Sequence, residues 1–509
     1  MKYKLFFLSL IFLLGFFLRF IDVSNDPPGL YIDEASIGYN AYSVLTTGKD
    51  EYGIVHPLWF KSFGDYKMPT YIYSVAGAMT VFGENEFAVR IPSVIAGTLT
   101  IFVLYLFLEK LLELEKDKNL QKKLRYLPLL ASFFLAISTW HLQFSRGGFE
   151  VNLATFFYLV GCYFFVAFKK NRKTLPILLS LFFFVLTMYT YDVFRVIAPL
   201  TLLSIAFIEK WYKNKNSLYL IVWIAVLSLP VIIFSITTEG AQRFSDTSAF
   251  SQLKFTFLYQ KILVYPLLYI SNYLSFFSLD YFFSFGDGIG RHQVQNFGEL
   301  YRWQLPFFLS GIYFLLKTPK SVLKYATFLL FLSVPLAGAV AQPSPHALRA
   351  LPMVIPCMIF VALGFIFLLD KIKQYKFKVL MIALVALFAL FEFAYYLQFY
   401  FVNYPQDNLP DWGAGYKQLV LATSKVKNQY KHIVIDTTLS YAPVYFHFYD
   451  NSISFQMVSP NWNEPTSWKK DKVLYIRPYF GYKNETDIIA SIYTQKVNPD
   501  VFAQLHELK

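Results

Sequence analysis

The chain has 509 residues, 56% of them apolar and 16% charged, a formal net charge of +13 and a mean hydropathy of +0.42. A soluble core of this size needs far less apolar residue, so the bilayer is the expected solvent. The excess positive charge falls between apolar runs rather than in one patch, which argues against nucleic acid as a partner.

A hydrocarbon layer of ~30 Å takes about 20 apolar residues per helix, and about eleven stretches of that kind occur. They run at 5–21, 88–108, 127–144, 151–168, 174–190, 194–208, 217–236, 304–316, 325–341, 350–370 and 379–399. The first carries Lys2 and Lys4 ahead of its apolar run, as a secretory signal would, but Arg19 and Asp22 follow in place of a small-residue cleavage site. It therefore reads as a retained span. Cys162 and Cys357 both lie in apolar stretches, where a thiol behaves as a small hydrophobe.

Basic residues set the orientation, because cytoplasmic loops retain Lys and Arg. The segments at 109–126, 169–173, 209–216, 317–324 and 371–378 are Lys-rich, whereas the alternate connections carry single arginines such as Arg146, Arg195 and Arg349. This places the N-terminus inside, and the loops at 22–87, 145–150, 191–193, 237–303 and 342–349 outside together with the tail from about 402. The apolar run at 265–283 is rich in Tyr and Ser, and counting it as a span would invert every later Lys-rich loop. It reads instead as a re-entrant or interfacial helix.

The expected fold class is an α-helical polytopic membrane protein of about 11 spans over residues 1–400, followed by a small extracytoplasmic α/β domain over 401–509. In that tail, 432–439 and 472–480 have strand character and 412–427 is compatible with helix. Neither long outer loop looks disordered, and loops beyond ~15 residues tend to carry function.

The chemistry-bearing residues gather on the outer side. After Asp26-Pro-Pro-Gly29 come adjacent carboxylates, Asp33 and Glu34, at the start of a probable helix, with Tyr39 and Tyr42 following. Neighbours on a helix point in different directions, so at most one of the two acids is the primary reacting group and the other caps or orients; alternatively Asp33 is simply an N-cap. Tyr66 and Lys67 precede Met68-Pro69, where the lysine could meet a phosphate as a point charge or anchor at the lipid boundary. Glu86 and Arg90, spaced i, i+4, suggest a structural ion pair. Arg146 and Glu150 lie in the next outer turn, and ionisable groups facing a bundle interior are costly to keep without use. The run Gly286-Asp287-Gly-Ile-Gly-Arg291-His292 and the turn His346-Ala-Leu-Arg349 supply cations suited to an anion. No P-loop, dinucleotide fingerprint or HExxH motif is present, so any activated group must arrive on a substrate.

These residues resemble the GT-C membrane glycosyltransferases, in the branch of protein mannosyltransferases and lipid A aminoarabinose transferases. The resemblance rests on Asp33-Glu34-Ala-x-x-Gly-Tyr39, Tyr66-Lys67-Met-Pro69 and Phe82-Gly-x-x-Glu86-x-x-x-Arg90-x-Pro92. Met68 stands where the aminoarabinose branch has the first of two prolines. By this resemblance Asp33 is the catalytic carboxylate, with Glu34 beside it, and Glu150 holds the second acidic position. Lys67, Arg146, Arg291, His292, His346 and Arg349 are candidates for the donor phosphate, and Tyr39, Tyr66 and Asp287 for the substrate cavity. The implied partners are a polyprenyl-phosphate-linked sugar, an extracytoplasmic acceptor (protein, lipid or cell-surface glycan) and the bilayer. A divalent cation, Mg or Mn, fits that chemistry, although Asp33 and Glu150 alone do not define its site. The implied setting is a prokaryotic inner membrane. A transporter or flippase would also be polytopic, but would place its charges near midplane and tend to show repeated halves. A sensor would need only one or two spans and a cytoplasmic output domain.

Overall fold

In a computed structural model, all residues are described except 1, 63–64, 214–216, 252, 254–257, 461–464, 466–467, 469–471, 479–487, 494–500 and 509. The chain divides into two compact units: residues 1–23, 57–74 and 90–400 form the first, and 24–56, 75–89 and 401–509 the second. The boundary expected at 400 is therefore only part of the division, because two pieces of the first long loop belong with the tail.

Every one of the eleven apolar stretches is largely helical, but their lengths differ. Among the described residues, six helices are long and apolar enough to cross a membrane: Tyr3–Phe20, Glu86–Glu113, Glu150–Asn171, Leu218–Ser235, Ala347–Lys371 and Tyr375–Asp407. A seventh crossing would combine Leu127–Ala136 with Thr139–Arg146, which meet at a 55° bend. The remainder are shorter: Thr174–Met188 and Phe194–Ile208 have 15 residues each, Val322–Gly338 has 17 and Leu305–Lys317 has 13. At ~1.5 Å per residue these reach only about 20–26 Å, less than the ~30 Å hydrocarbon layer, so counting apolar runs overstates the full-length spans. Leu258–Ser275, which covers part of the run read as interfacial, is helical with Leu258, Ile262, Leu263, Leu267, Ile270 and Leu274 exposed. It is tied to the helix Val322–Gly338 and the residue after it by Tyr269 to Leu336 O (3.0 Å), Tyr273 to Leu332 O (2.9 Å) and Asn272 to Ala339 O (3.0 Å).

The Lys-rich connections meet at one end of the first unit, as the alternation of charge predicts. Lys4 pairs with Glu109 at 2.7 Å, Lys123 with Asp370 at 2.7 Å and Lys169 with Glu209 at 2.6 Å. Lys170 reaches Glu113, and Glu115 accepts hydrogen bonds from Ser321 Oγ and the Leu323 amide.

Two buried arginines cap helix ends, Arg19 at the break between Leu127–Ala136 and Thr139–Arg146 and Arg146 at the end of Lys2–Phe20. A helix end leaves carbonyls without partners, and a cation there satisfies them and complements the helix dipole. Arg19, at the end of Lys2–Phe20, donates to Ala136 O (3.0 Å) and Leu135 O (3.2 Å), and lies 2.7 Å from His141 Nδ1. In return Arg146, at the end of Thr139–Arg146, donates to Leu18 O (2.9 Å) and Ile21 O (2.7 Å). Helices Leu305–Lys317 and Val354–Lys371 touch backbone to backbone. A Cβ on Gly311 would collide with the Phe360 carbonyl, and one on Gly364 with the Phe307 carbonyl. Cys162 and Cys357 are free thiols in helices, as expected.

In the second unit the tail carries a five-stranded sheet in the order β4-β3-β5-β7-β6, with β3 His432–Asp436, β4 Gln456–Val458, β5 Val473–Pro478, β6 Ile488–Tyr493 and β7 Val501–Leu508. The strands β4, β3 and β5 are mutually parallel, whereas β7 is antiparallel to both β5 and β6. The strand character at 432–439 and 472–480 corresponds to β3 and β5, with 479–480 outside the described residues. The remaining strands carry no apolar alternation strong enough to read directly. Helix Tyr416–Val426 falls within the stretch compatible with helix at 412–427.

Candidate functional site

In the second unit, the first long loop turns through Gly29 at φ +83°, where a Cβ would press to 2.8 Å from Trp412 O. Leu30 O accepts from the Tyr445 hydroxyl at 2.8 Å, and helix Ile32–Thr47 begins immediately afterwards. The two adjacent carboxylates have different surroundings. Glu34 is fully buried and accepts from the Tyr31 amide at 3.2 Å, the position and bond of a third-residue helix cap. Asp33 is not the N-cap, which is Tyr31; it is the second residue of the helix and half-buried, in the first turn where the helix dipole favours a negative charge. Glu34, expected beside the reacting carboxylate, is engaged in holding the helix start.

Along the same helix, Tyr39 stacks on His447, with ring centroids 5.0 Å apart and planes 19° from parallel. Asn40 and Glu51 bond reciprocally: Asn40 Nδ2 donates to Glu51 Oε1 (3.3 Å) and the Glu51 amide donates to Asn40 Oδ1 (3.2 Å). Burial pushes the Glu51 carboxyl up to about 7, the Asn40 bond opposing and Asp50 adding to the rise. Burial, then Glu51 and Glu84, also raises the Tyr39 phenol. Burial lowers His447, so its imidazole is neutral at neutral pH. Sequence reasoning missed both Glu51 and His447. Glu51 stood in a Gly48–Gly53 turn that gave no hint of burial, and His447 lies hundreds of residues from its partner.

The expected Glu86–Arg90 ion pair does not form. Glu86 opens helix Glu86–Glu113, and side chains lean toward a helix's N-terminus. Its carboxylate instead meets Lys417 Nζ at 2.6 Å and the Tyr449 hydroxyl at 3.0 Å.

In the first unit, Tyr66 and Lys67 lie on a hairpin, β1 Phe60–Ser62 against β2 Asp65–Lys67. Tyr66 packs on Phe234 at 5.5 Å, and Lys67 is 5% exposed. Met68, in place of the proline of the aminoarabinose branch, sits in a core with Met188, Ala198, Val231 and Phe234. Its sulfur accepts from Arg195 at 3.1 Å, which brings a second cation beside the residue after Lys67. Arg195 also pairs with Asp192 at 2.8 Å. Glu150 is the half-buried first residue of helix Glu150–Asn171. Arg146 is fully buried, its guanidinium bonded to Leu18 O, Ile21 O and the Tyr400 hydroxyl (2.9 Å), so this candidate phosphate ligand is built into the helix ends.

The Gly-rich run and the His-Ala-Leu-Arg turn come together on the short helix Thr139–Arg146. Trp140 Nε1 donates to Ala347 O (3.1 Å), Gln143 to Arg291 O (2.8 Å) and Thr139 to Glu299 O (2.8 Å). Asp287, expected in a substrate cavity, is a buried junction. It accepts from the amides of Ile289 (3.0 Å) and Ala347 (2.8 Å) and lies 2.6 Å from His292 Nδ1. Burial would raise its carboxyl, but the charge and hydrogen bond of His292 together with those two amides hold it below the usual range. His292 faces His346, with ring centroids 4.7 Å apart. His346 is the N-cap of Ala347–Ala350, and Arg349 donates back to Pro343 O and Gln342 O. Among the described residues, the one group of three His, Cys, Asp or Glu side chains close enough to share an ion is Asp287, His292 and His346. It includes neither Asp33 nor Glu150, which by themselves did not define a cation site.

No family model and no curated protein matches the sequence. Solved structures do. ArnT from Cupriavidus metallidurans bound to undecaprenyl phosphate matches over 99% of this chain and 98% of its own, at 9% identity and a TM-score of 0.54. The Archaeoglobus fulgidus oligosaccharyltransferase in its apo form matches over 90% of this chain and 64% of its own, at 13% identity and a TM-score of 0.53. The same enzyme in complex with Zn and sulfate matches at a TM-score of 0.51. The chain shares the fold of these solved structures, a mostly helical architecture. The likeness to ArnT runs the length of both chains, through the tail as well as the helices.

Proposed function

We propose that the chain is an inverting glycosyltransferase that moves a sugar from a polyprenyl-phosphate donor to an acceptor on the extracytoplasmic side of a prokaryotic inner membrane. The observation that carries the reading is the full-length likeness to a fold whose solved example holds undecaprenyl phosphate. The placement of Asp33 supports it: a half-buried carboxylate in a helix's first turn, with its neighbour Glu34 taken up by the helix start.

In this reaction the acceptor hydroxyl oxygen attacks the anomeric carbon as its proton passes to Asp33. The bond from that carbon to the phosphate oxygen breaks, and the electron pair leaves with the polyprenyl phosphate. One carboxylate suffices, because a phosphate dianion leaves well where cations stabilise it and needs no proton from a second acid. Lys67 is the proposed phosphate ligand, with Arg291 and Arg349 as further cations and Arg195 added by its contact with Met68. Glu150, Tyr39 and Tyr66 are assigned to the acceptor and sugar, and the tail from about 402 to acceptor choice.

The test is transfer from a radiolabelled polyprenyl-phosphate sugar by purified protein. Asp33→Asn, folded and still binding the donor lipid, should lose about 10²-fold or more of turnover, the usual contribution of a positioned base. Undiminished turnover in that variant would remove Asp33 from the role.

A further inference from the structure

The geometry points to a mononuclear zinc-type metal site formed by Asp287, His292 and His346, which clamps the Gly-rich run at 286–292 to the turn at 342–347. One ligand atom from each of the three lies within 4.8 Å of the others. The residues are inside the protein: the Asp287 side chain is 0% and that of His292 2% exposed. Two imidazoles beside one carboxylate form a nitrogen-rich donor set. That set suits zinc and related transition ions, whereas Mg and Mn favour carboxylate, carbonyl and water oxygens.

The surroundings have the form of a metal site's supporting shell. A ligating histidine or carboxylate is normally held by further hydrogen bonds and packing that fix its orientation. Here the Asp287 carboxylate is fixed by the amides of Ile289 and Ala347. Phe144 packs on the His292 ring at 5.4 Å, and Trp140 holds the backbone carbonyl next to His346. Gly286 and Gly288 flank Asp287 at φ +57° and +75°, which allows the chain to fold tightly around it.

The 2.6 Å separation of Asp287 Oδ2 and His292 Nδ1 is a hydrogen-bond distance. It is shorter than the edge of about 3.3 Å in a tetrahedron with zinc–ligand bonds of ~2.0–2.1 Å. An ion replacing the shared proton therefore spreads this pair by about 0.7 Å.

This inference does not rest on the transfer reaction, and zinc content and turnover can fail separately. The full-length protein, purified in detergent, is loaded with zinc, dialysed and assayed for metal by mass spectrometry and for chelator-dependent thermal stability. We expect about one zinc per chain and a lower Tm after chelation, because metal bound only by the folded state adds to its stability. His292→Ala and His346→Ala should each weaken binding by at least about 10–100-fold, while His432→Ala, outside the cluster, should leave it unchanged. Should the alanine variants not fold, cobalt substitution of the wild type provides an independent reading: intense visible bands of four-coordinate Co(II) are expected. Folded wild type that retains no zinc and gives no such bands overturns the site, as does equal zinc in wild type and both variants. Asp287 and His292 would then be a hydrogen-bonded pair alone.

Discussion

Glu51 offers a measurement in which sign and size both follow from the fold. Its carboxyl is pushed from 4.5 to about 7, chiefly by burial, so the folded state holds its proton more tightly than the unfolded state does. Below about 4.5 both states are protonated and the group costs nothing. Between about 4.5 and 7 the unfolded chain ionises first, and stability falls as pH rises; above 7 the full cost is present. A rise of about 2.5 units at ~1.36 kcal/mol each sets an upper bound near 3 kcal/mol, and partial exposure reduces this to about 2 kcal/mol. Glu51→Gln keeps the side chain's shape and can accept from Asn40 Nδ2, but cannot ionise. It should therefore stabilise the protein at pH 8 by about that amount and leave it nearly unchanged at pH 4.5. Thermal unfolding of wild type and variant in detergent at the two pH values tests this. A difference in Tm that is the same at both, or larger at the acid end, would refute the burial argument.

Two further outcomes follow from packing. Gly311→Ala should destabilise by about 1–3 kcal/mol in thermal unfolding, because its methyl group meets the rigid Phe360 carbonyl of the facing helix rather than a movable side chain. Arg146→Met should cost about 3 kcal/mol or more, since it leaves the Leu18 and Ile21 carbonyls and the Tyr400 hydroxyl without this donor. The expected signature of Arg146→Met is a lower yield of folded protein; a folded variant of normal Tm whose only defect is donor affinity would return Arg146 to phosphate binding.

Composition alone determined that this chain is polytopic, because no soluble core needs so much apolar surface. The alternation of Lys-rich and Lys-poor connections determined which of them share an end, and pairs such as Lys4 with Glu109 and Lys123 with Asp370 agree with it. Local pattern also placed the acidic helix at Asp33 and two strands of the tail, since helix starts and apolar strands are short-range signals. It could not say what a charged side chain would meet. Glu86 looked paired with Arg90 four residues away, yet its partner Lys417 lies 331 positions along the chain. Arg146 looked like an anion ligand, but the carbonyls left open at the end of the helix Lys2–Phe20 make it a cap, as those at the break after Ala136 make Arg19 one. Asp287 and His346 stood in separate motifs, and they become neighbours through the helix Thr139–Arg146, which holds both loops, and the bond from the Ala347 amide to Asp287. Charge type and hydropathy are written residue by residue; partners are chosen by folding, because an ion or hydrogen bond acts over a few ångströms regardless of the length of chain between its ends.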